Sequence, residues 1–448
     1  MKKNYLLTIV FICMPFLLIS SCKQITHSIH KIQPELITLP QEHSQYYSRI
    51  KNNQSPYMAN EIQLLSNNEY KKKFLSPWAK TNPQTSKESL IKTFQRFKTT
   101  QRFGENKQPI LSNRIEALEK TASLENYPNM LKYGITLTHT NLRILPTKKP
   151  FFTNFRHDGE GFPFDILQNS LIPANTPILI THLSKNKDWS HIETPIASGW
   201  VPIRDIAFVG PKFLENFTKL STFIAPVKDN TPIYTTQGNY VYNGHIGMMF
   251  PKIRTTKNDY YIAIAEANKS GLAYIKECKI PKNTSTVKPL PLTIENVGKI
   301  SDELINKPYG WGGSFENRDC SAMLRDLFGT FGIWLPRNSR AQAFHGGRYI
   351  HFKDLSNNQK EAMIIQNATP YMTLLWLPGH IMLYIGEENG KVLVFHNIWG
   401  LRTTTASKRQ IIGKSIISTL EPGKENPDID PELSLIERLE GMTLIGAF

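Results

Sequence analysis

The sequence predicts a multidomain α+β protein: a mostly helical N-terminal segment, two small β-barrels and an α+β C-terminal domain. Three observations carry this. The chain has 448 residues, too many for one compact core. Apolar residues recur at helical spacing before about residue 125, then yield to short β-like runs broken by Pro, Gly and Asn. Beyond Leu292, an amphipathic run following Cys320 is succeeded by an alternating strand and hairpin pattern around His380. Hydrophobic residues make up 40% and charged ones 20%, the balance of an ordinary globular chain rather than a disordered one.

At the N-terminus, Lys2 and Lys3 precede an apolar stretch from Tyr5 to Ile19 that is too short to span a bilayer. It ends Ile19-Ser20-Ser21-Cys22, which resembles a bacterial lipobox. Residues 1–21 are therefore read as a lipoprotein signal peptide and Cys22 as the lipidation site. Acyl chains on Cys22 would hold the protein on the periplasmic side of a bacterial membrane, inner or outer, without a spanning helix. Residues 22–55 are polar and weakly periodic, and a tether is expected there. Residues 56–128 carry the helical pattern, in Ile62, Leu64 and Leu65 and again in Ile110, Ile115 and Leu118. Residues 129–212 and 213–284 each hold several strand-like runs, such as TPILITHLS and DYYIAIAEA, at the spacing of a small barrel. Pro281 to Pro291 reads as a linker, and residues 285–448 form the last domain.

The net charge of +16 falls to +14 once Lys2 and Lys3 leave. A cationic surface attracts anionic partners, yet no dense Lys/Arg block marks a nucleic-acid patch, and no nucleic acid is expected. Of the four cysteines, Cys13 lies in the leader and Cys22 at the lipobox, leaving Cys278 and Cys320. Two thiols do not make a disulfide scaffold, and both are expected to be reduced. No Cys/His spacing suits zinc, so neither metal nor cofactor is expected.

Cys320 opens a run in which Met323, Leu324, Leu327, Phe328 and Phe331 share one helical face. It therefore sits in a first helical turn, where unpaired N–H groups and the macrodipole favour a thiolate; a lowered thiol pKa is expected. Gly310, Gly312 and Gly313 let the backbone just upstream pass close to a substrate. Downstream, His380, Met382 and Tyr384 share a strand face, and Glu387-Glu388-Asn389-Gly390 signals a hairpin. A three-residue loop with Gly390 left-handed pairs Glu387 with Lys391. It sets His396, closing the strand VLVFH, opposite Met382 and on the face of His380. A two-residue loop would send the two histidines to opposite faces. In the first arrangement His396 can hold the tautomer of His380. A thiol and an imidazole so placed are the equipment of a thiol hydrolase.

The segments PYGWGG, RDCSAM, LPRNSRAQ and GHIMLYIG together resemble the NlpC/P60 cysteine peptidases of bacterial cell walls. The resemblance implies a papain-like α+β domain with Cys320 as nucleophile, His380 as base and His396 as orienting residue. It also implies substrate contacts by Asp319 and Ser321, a groove lined by Tyr309 and Trp311, and Arg337 and Ser339 near the site. FGENKQP, LENYPN, NLRILPT, GEGFPFDILQNS and GWVPIRDIAFV look like the members that carry a helical segment and two bacterial SH3 domains before the peptidase. In those members the first SH3 domain packs on the groove and helps set substrate length; Glu160 and Asp165 are its acidic candidates here.

By the same resemblance, the expected reaction is hydrolysis of the amide between γ-D-glutamate and meso-diaminopimelate, or another diamino acid, in peptidoglycan stem peptides. It would pass through a thioester on Cys320. Asp319 could meet a free N-terminal amine and Arg337 a stem carboxylate, although Asp319 equally suits a helix N-cap. The alternatives are a recycling enzyme confined to free stem peptides with N-terminal L-Ala, a non-catalytic peptidoglycan-binding lipoprotein, and an amidase or acyltransferase using the same thiol. A monomer is expected.

Overall fold

A computed structural model describes residues 38–446, so the leader and Cys22 lie outside the described residues. No described helix is long and apolar enough to cross a membrane.

Residues 38–55, expected to belong to a tether, are seated on the C-terminal domain instead. Gln41 bonds both backbone groups of Ile417 on the edge strand Arg409–Thr419, supplying an unpaired edge with partners. His43 is buried against Tyr371 and Phe395. Three longer helices follow, Asn60–Leu75, Lys87–Thr99 and Ser112–Ala122. The first lies the opposite way round from its expected orientation. Ile62, Leu64 and Leu65 are exposed, whereas Gln63, Asn67 and Tyr70 are buried. The polar face turns inward because it has carbonyls to satisfy. Gln63 donates to those of Leu290 and Phe331, and Ser66 to that of Gly332, just past the end of the helix that Cys320 opens.

Two seven-stranded antiparallel sheets come next. The first runs Gln168–Ile172, Thr140–Arg143, Ser198–Pro202, Trp189–Glu193, Pro177–Leu183, Lys132–Thr136, Ile206–Phe208. The second holds Cys278 in its core as a free thiol. Its last strand, Ser285–Lys288, pairs with Phe223–Pro226. This takes the second barrel past residue 284 and replaces part of the expected linker with ladder.

The C-terminal domain is a six-stranded antiparallel sheet ordered Gly347–His351, Gly441–Ile445, Thr373–Leu377, His380–Glu388, Lys391–Arg402, Arg409–Thr419. Alternation gives it two apolar faces. Ile381, Leu383, Phe395 and Ile417 meet the helix Cys320–Thr330 on one side. Met382, Tyr384, Val394 and Ile416 are covered by the segment around Leu435 to Leu439 on the other.

Candidate active site

The helix Cys320–Thr330 starts where it does because Asp319 caps it, its Oδ1 accepting the Ala322 N–H at 2.8 Å. Met323, Leu324, Leu327 and Phe328 then anchor the helix in the core. Cys320 is 7% exposed. The backbone N–H groups of Ser321 and of Ile381, the residue after His380, favour its thiolate, and Cys320 and Ile381 share one apolar core. Burial first, and then the charge of Asp319, push the thiol up to about 12 against the pull of those two donors. The depressed pKa expected for this position is therefore corrected: desolvation outweighs the helix terminus.

The histidines reach one face by a route the sequence did not suggest. The hairpin loop has two residues, Asn389 and Gly390, both at positive φ, and Glu388 pairs with Lys391. Alone, that register would part the histidines. A bulge at Ile385, next to Gly386 at φ 137°, shifts the ladder by one residue, so that Leu383 lies opposite Phe395. Continuing that register sets His396 opposite Met382, and two departures from expectation cancel. Nor does His396 end its strand: the strand runs on to Arg402, and His396 is wholly buried.

His380 Nε2 lies 2.8 Å from His396 Nδ1, and His396 Nε2 lies 3.0 Å from Ser418 Oγ. Ser418 Oγ donates to the carbonyl of Thr419 at 2.7 Å. This last bond fixes the direction of the whole row, because a carbonyl only accepts. The hydroxyl proton points at Thr419, so Ser418 Oγ accepts from His396 Nε2–H. His396 Nδ1 then accepts from His380 Nε2–H, which leaves His380 Nδ1 bare. Burial lowers the pKa of His380 to about 3, the Arg438 charge adding to the shift and Asp319 opposing it. Burial and then His380 hold His396 well below its usual range. Both rings are neutral, as a single directed row requires.

The remaining expected site residues are placed as follows. Asp319 and Arg337 answer each other in a two-pronged pair, with Nη2–Oδ2 at 2.7 Å and Nη1–Oδ1 at 3.1 Å. Ser321 joins them through Asp319 Oδ1. Tyr309 lies near enough to Cys320 and Asp319 that their charges, after burial, push its hydroxyl up. Trp311 donates to the carbonyl of Asp165 in the first barrel. Ser339 opens the helix Ser339–His345 and makes no side-chain hydrogen bond among the described residues. Of the acidic candidates, Asp165 is spent on Arg143 and on the N–H groups of Phe151 and Leu167. Glu160 is half-exposed beside His157.

The first barrel instead contributes Phe164. Its ring centroid lies 5.2 Å from that of Trp311, 5.5 Å from Trp399 and 6.4 Å from Tyr309, making an aromatic wall beside His380. The barrel is seated tightly: a Cβ on Gly312 would come within 2.6 Å of the Gln168 carbonyl oxygen. Sequence reasoning missed Phe164, Trp399 and Ser418. Trp399 was within reach, three residues past His396 in the same strand. Phe164 and Ser418 come from distant segments with no local signal.

One group of possible metal ligands, His139, His245 and Glu316, converges to within 4.8 Å among the described residues. The donor set fits a cation poorly. His139 gives Nε2 to the Asn243 carbonyl and accepts the Ala174 N–H on Nδ1, while Arg318, paired with Asp229, lines the same pocket as both histidines.

Comparison with protein families matches four stretches in order. These are the N-terminal NLPC_P60 stabilising domain over residues 11–127, an SH3 domain of SH3b1 type over 150–202, one of SH3b2 type over 212–257, and the NlpC/P60 family over 306–410. Among solved structures, an NlpC/P60 endopeptidase of Photobacterium damselae subsp. piscicida is 25% identical with a TM-score of 0.79. The match covers 91% of this chain and 97% of that one. An NlpC/P60 family protein of Bacillus cereus is 15% identical with a TM-score of 0.42, over 62% of this chain and 82% of that one. Comparison with curated proteins gives no match.

Proposed function

We propose, from the premise that this chain belongs to the NlpC/P60 family, that it is a cysteine endopeptidase of peptidoglycan. Its bond is the amide between γ-D-glutamate and a diamino acid of the stem peptide. The observation that carries the reading is the one-way row His380–His396–Ser418, which leaves a bare nitrogen at the mouth of the strand where the Cys320 sulfur is held. His380 Nδ1 takes the thiol proton as sulfur attacks the carbonyl. The positive charge then forming on His380 is delocalised toward His396. The Cys320 N–H, with no protein acceptor among the described residues, is the donor for the oxyanion. The proton passes from His380 to the leaving amine, and water, activated by the same nitrogen, cleaves the thioester.

Free stem peptides, rather than intact wall, are the favoured substrate. Phe164 and the Trp311–Asp165 bond close the groove against the first barrel, which suits a short peptide end more than a glycan-linked strand. Because Asp319 and Arg337 neutralise each other, their contribution there is to hold the helix terminus and Ser321. Lipidation of Cys22 would place the enzyme where such peptides are found. Digestion of purified muropeptides and of free tripeptide by the full chain, read by mass spectrometry, tests this. The expected products are L-Ala-γ-D-Glu and the free diamino acid moiety. Release of any other fragment, or no cleavage by a protein that still binds the wall, contradicts it.

A further inference from the structure

Past His380 the groove opens into a recess of about 340 Å³ whose wall carries three arginines, Arg402, Arg409 and Arg438. Arg402 and Arg409 stand directly opposite each other in the ladder between Lys391–Arg402 and Arg409–Thr419, where like charges repel. Arg438 is held by a bond from Nη2 to the carbonyl of Pro378, two residues before His380. Among the described residues, the Arg409 guanidinium bonds the carbonyls of Ala406 and Lys408 alone, and Arg402 has no side-chain partner.

Nearby acids offset this charge incompletely. Asp158 accepts the backbone N–H of Arg409 at 3.0 Å, and Glu160 sits beside His157; both act on Arg409 and neither on Arg438. Burial and mutual repulsion lower the pKa of Arg438 and of Arg409. A sheet that retains a directly opposed arginine pair, with a third guanidinium beside it in a concave wall, presents an uncompensated field suited to an anion. Guanidinium forks match a carboxylate in both shape and charge.

The position of the recess identifies which carboxylate. In Cys–His amide cleavage the imidazole returns its proton to the departing amine, so the leaving half of the substrate lies on the His380 side, where Arg438 is anchored. We propose that Arg402, Arg409 and Arg438 form a subsite for the free carboxylate of the amino acid released as the amine. This rests on the hydrolase reading above and adds that the enzyme requires a substrate ending just beyond the scissile bond.

Two peptides test it: L-Ala-γ-D-Glu joined to a diamino acid with a free terminal carboxylate, and the same peptide as its carboxamide. The wild-type full chain should prefer the carboxylate in kcat/KM by about tenfold or more, mostly through KM, as one charge-assisted hydrogen bond implies. Added salt should narrow the gap. Arg402→Gln and Arg438→Gln should each shrink the preference severalfold. Arg204→Gln, on an exposed turn of the first barrel, should leave it intact. Equal cleavage of both peptides by the wild type, or an unchanged preference in both variants, overturns the subsite while leaving the hydrolase standing. If neither peptide is cut, the hydrolase reading fails, and binding of the same pair to Cys320→Ala protein decides the subsite separately. Tighter binding of the carboxylate that is lost on adding Arg438→Gln supports it, and equal or absent binding overturns it.

Discussion

Two histidine pairs in this molecule look alike and are bonded in opposite ways. His380 and His396 have ring centroids 5.1 Å apart at 62°, and His139 and His245 are 5.0 Å apart at 56°. Burial lowers the pKa of all four. The difference lies in where the outer nitrogens go. In the first pair every bond points one way, ending at the Thr419 carbonyl and leaving one nitrogen of His380 bare. In the second, His139 is closed at both nitrogens by backbone groups, and His245 sits between Asp229 and Glu316. Proximity of the imidazoles does not separate the two pairs. A directed donor row with one open end does.

The sharpest break would come from the first pair. Cys320→Ala and His380→Ala should each lower kcat by about 1000-fold or more, and the double variant should be little worse, since the two act as a unit. His396→Ala should lower kcat by about 100-fold, whereas His139→Ala should keep kcat within about twofold and lower Tm by a few degrees. Comparable losses of kcat in the two would erase the distinction drawn between the pairs. Ser418→Ala removes the group that orients the row, leaving His396 free to take either tautomer. A loss in kcat of about tenfold, with KM little changed, is expected from one buried hydrogen bond. An unaltered kcat would remove Ser418 from the row.

The smallest effect is one of pH. A thiol raised to about 12 is protonated throughout the neutral range. Alkylation of Cys320 by iodoacetamide should therefore be slow near neutrality and rise about tenfold for each pH unit into the alkaline range. A plateau near neutral pH would mean a resting thiolate. Likewise a base that protonates only near 3 keeps its proton-accepting form through mild acid, so kcat/KM should show no acid limb near the ordinary histidine value.

The order of helical segment, two β domains and α+β domain was legible in the chain because each kind of element carries its own period. So was the motif run around Cys320 and His380. What escaped was set by distant partners. The helix Asn60–Leu75 turned its polar face inward because carbonyls near Leu290, Phe331 and Gly332 needed donors, and no local pattern records that need. The hairpin takes the two-residue loop, the alternative that parts the histidines, and the bulge at Ile385, which no local signal marks, restores the shared face. Residues 38–55 read as a tether because their composition is polar, yet Gln41 and His43 use that polarity to dock. Phe164 and Ser418 enter the site from over 150 residues before Cys320 and nearly 100 after it, beyond the reach of spacing arguments.

The direction of the row can be measured without substrate. Nitrogen-15 NMR of histidine-labelled full chain at neutral pH, assigned with His380→Ala and His396→Ala variants, reports which ring nitrogens carry protons. His380 and His396 should both be neutral and both protonated at Nε2, with Nδ1 bare. A proton on Nδ1 of His380, or a charged ring at either position, would contradict the account.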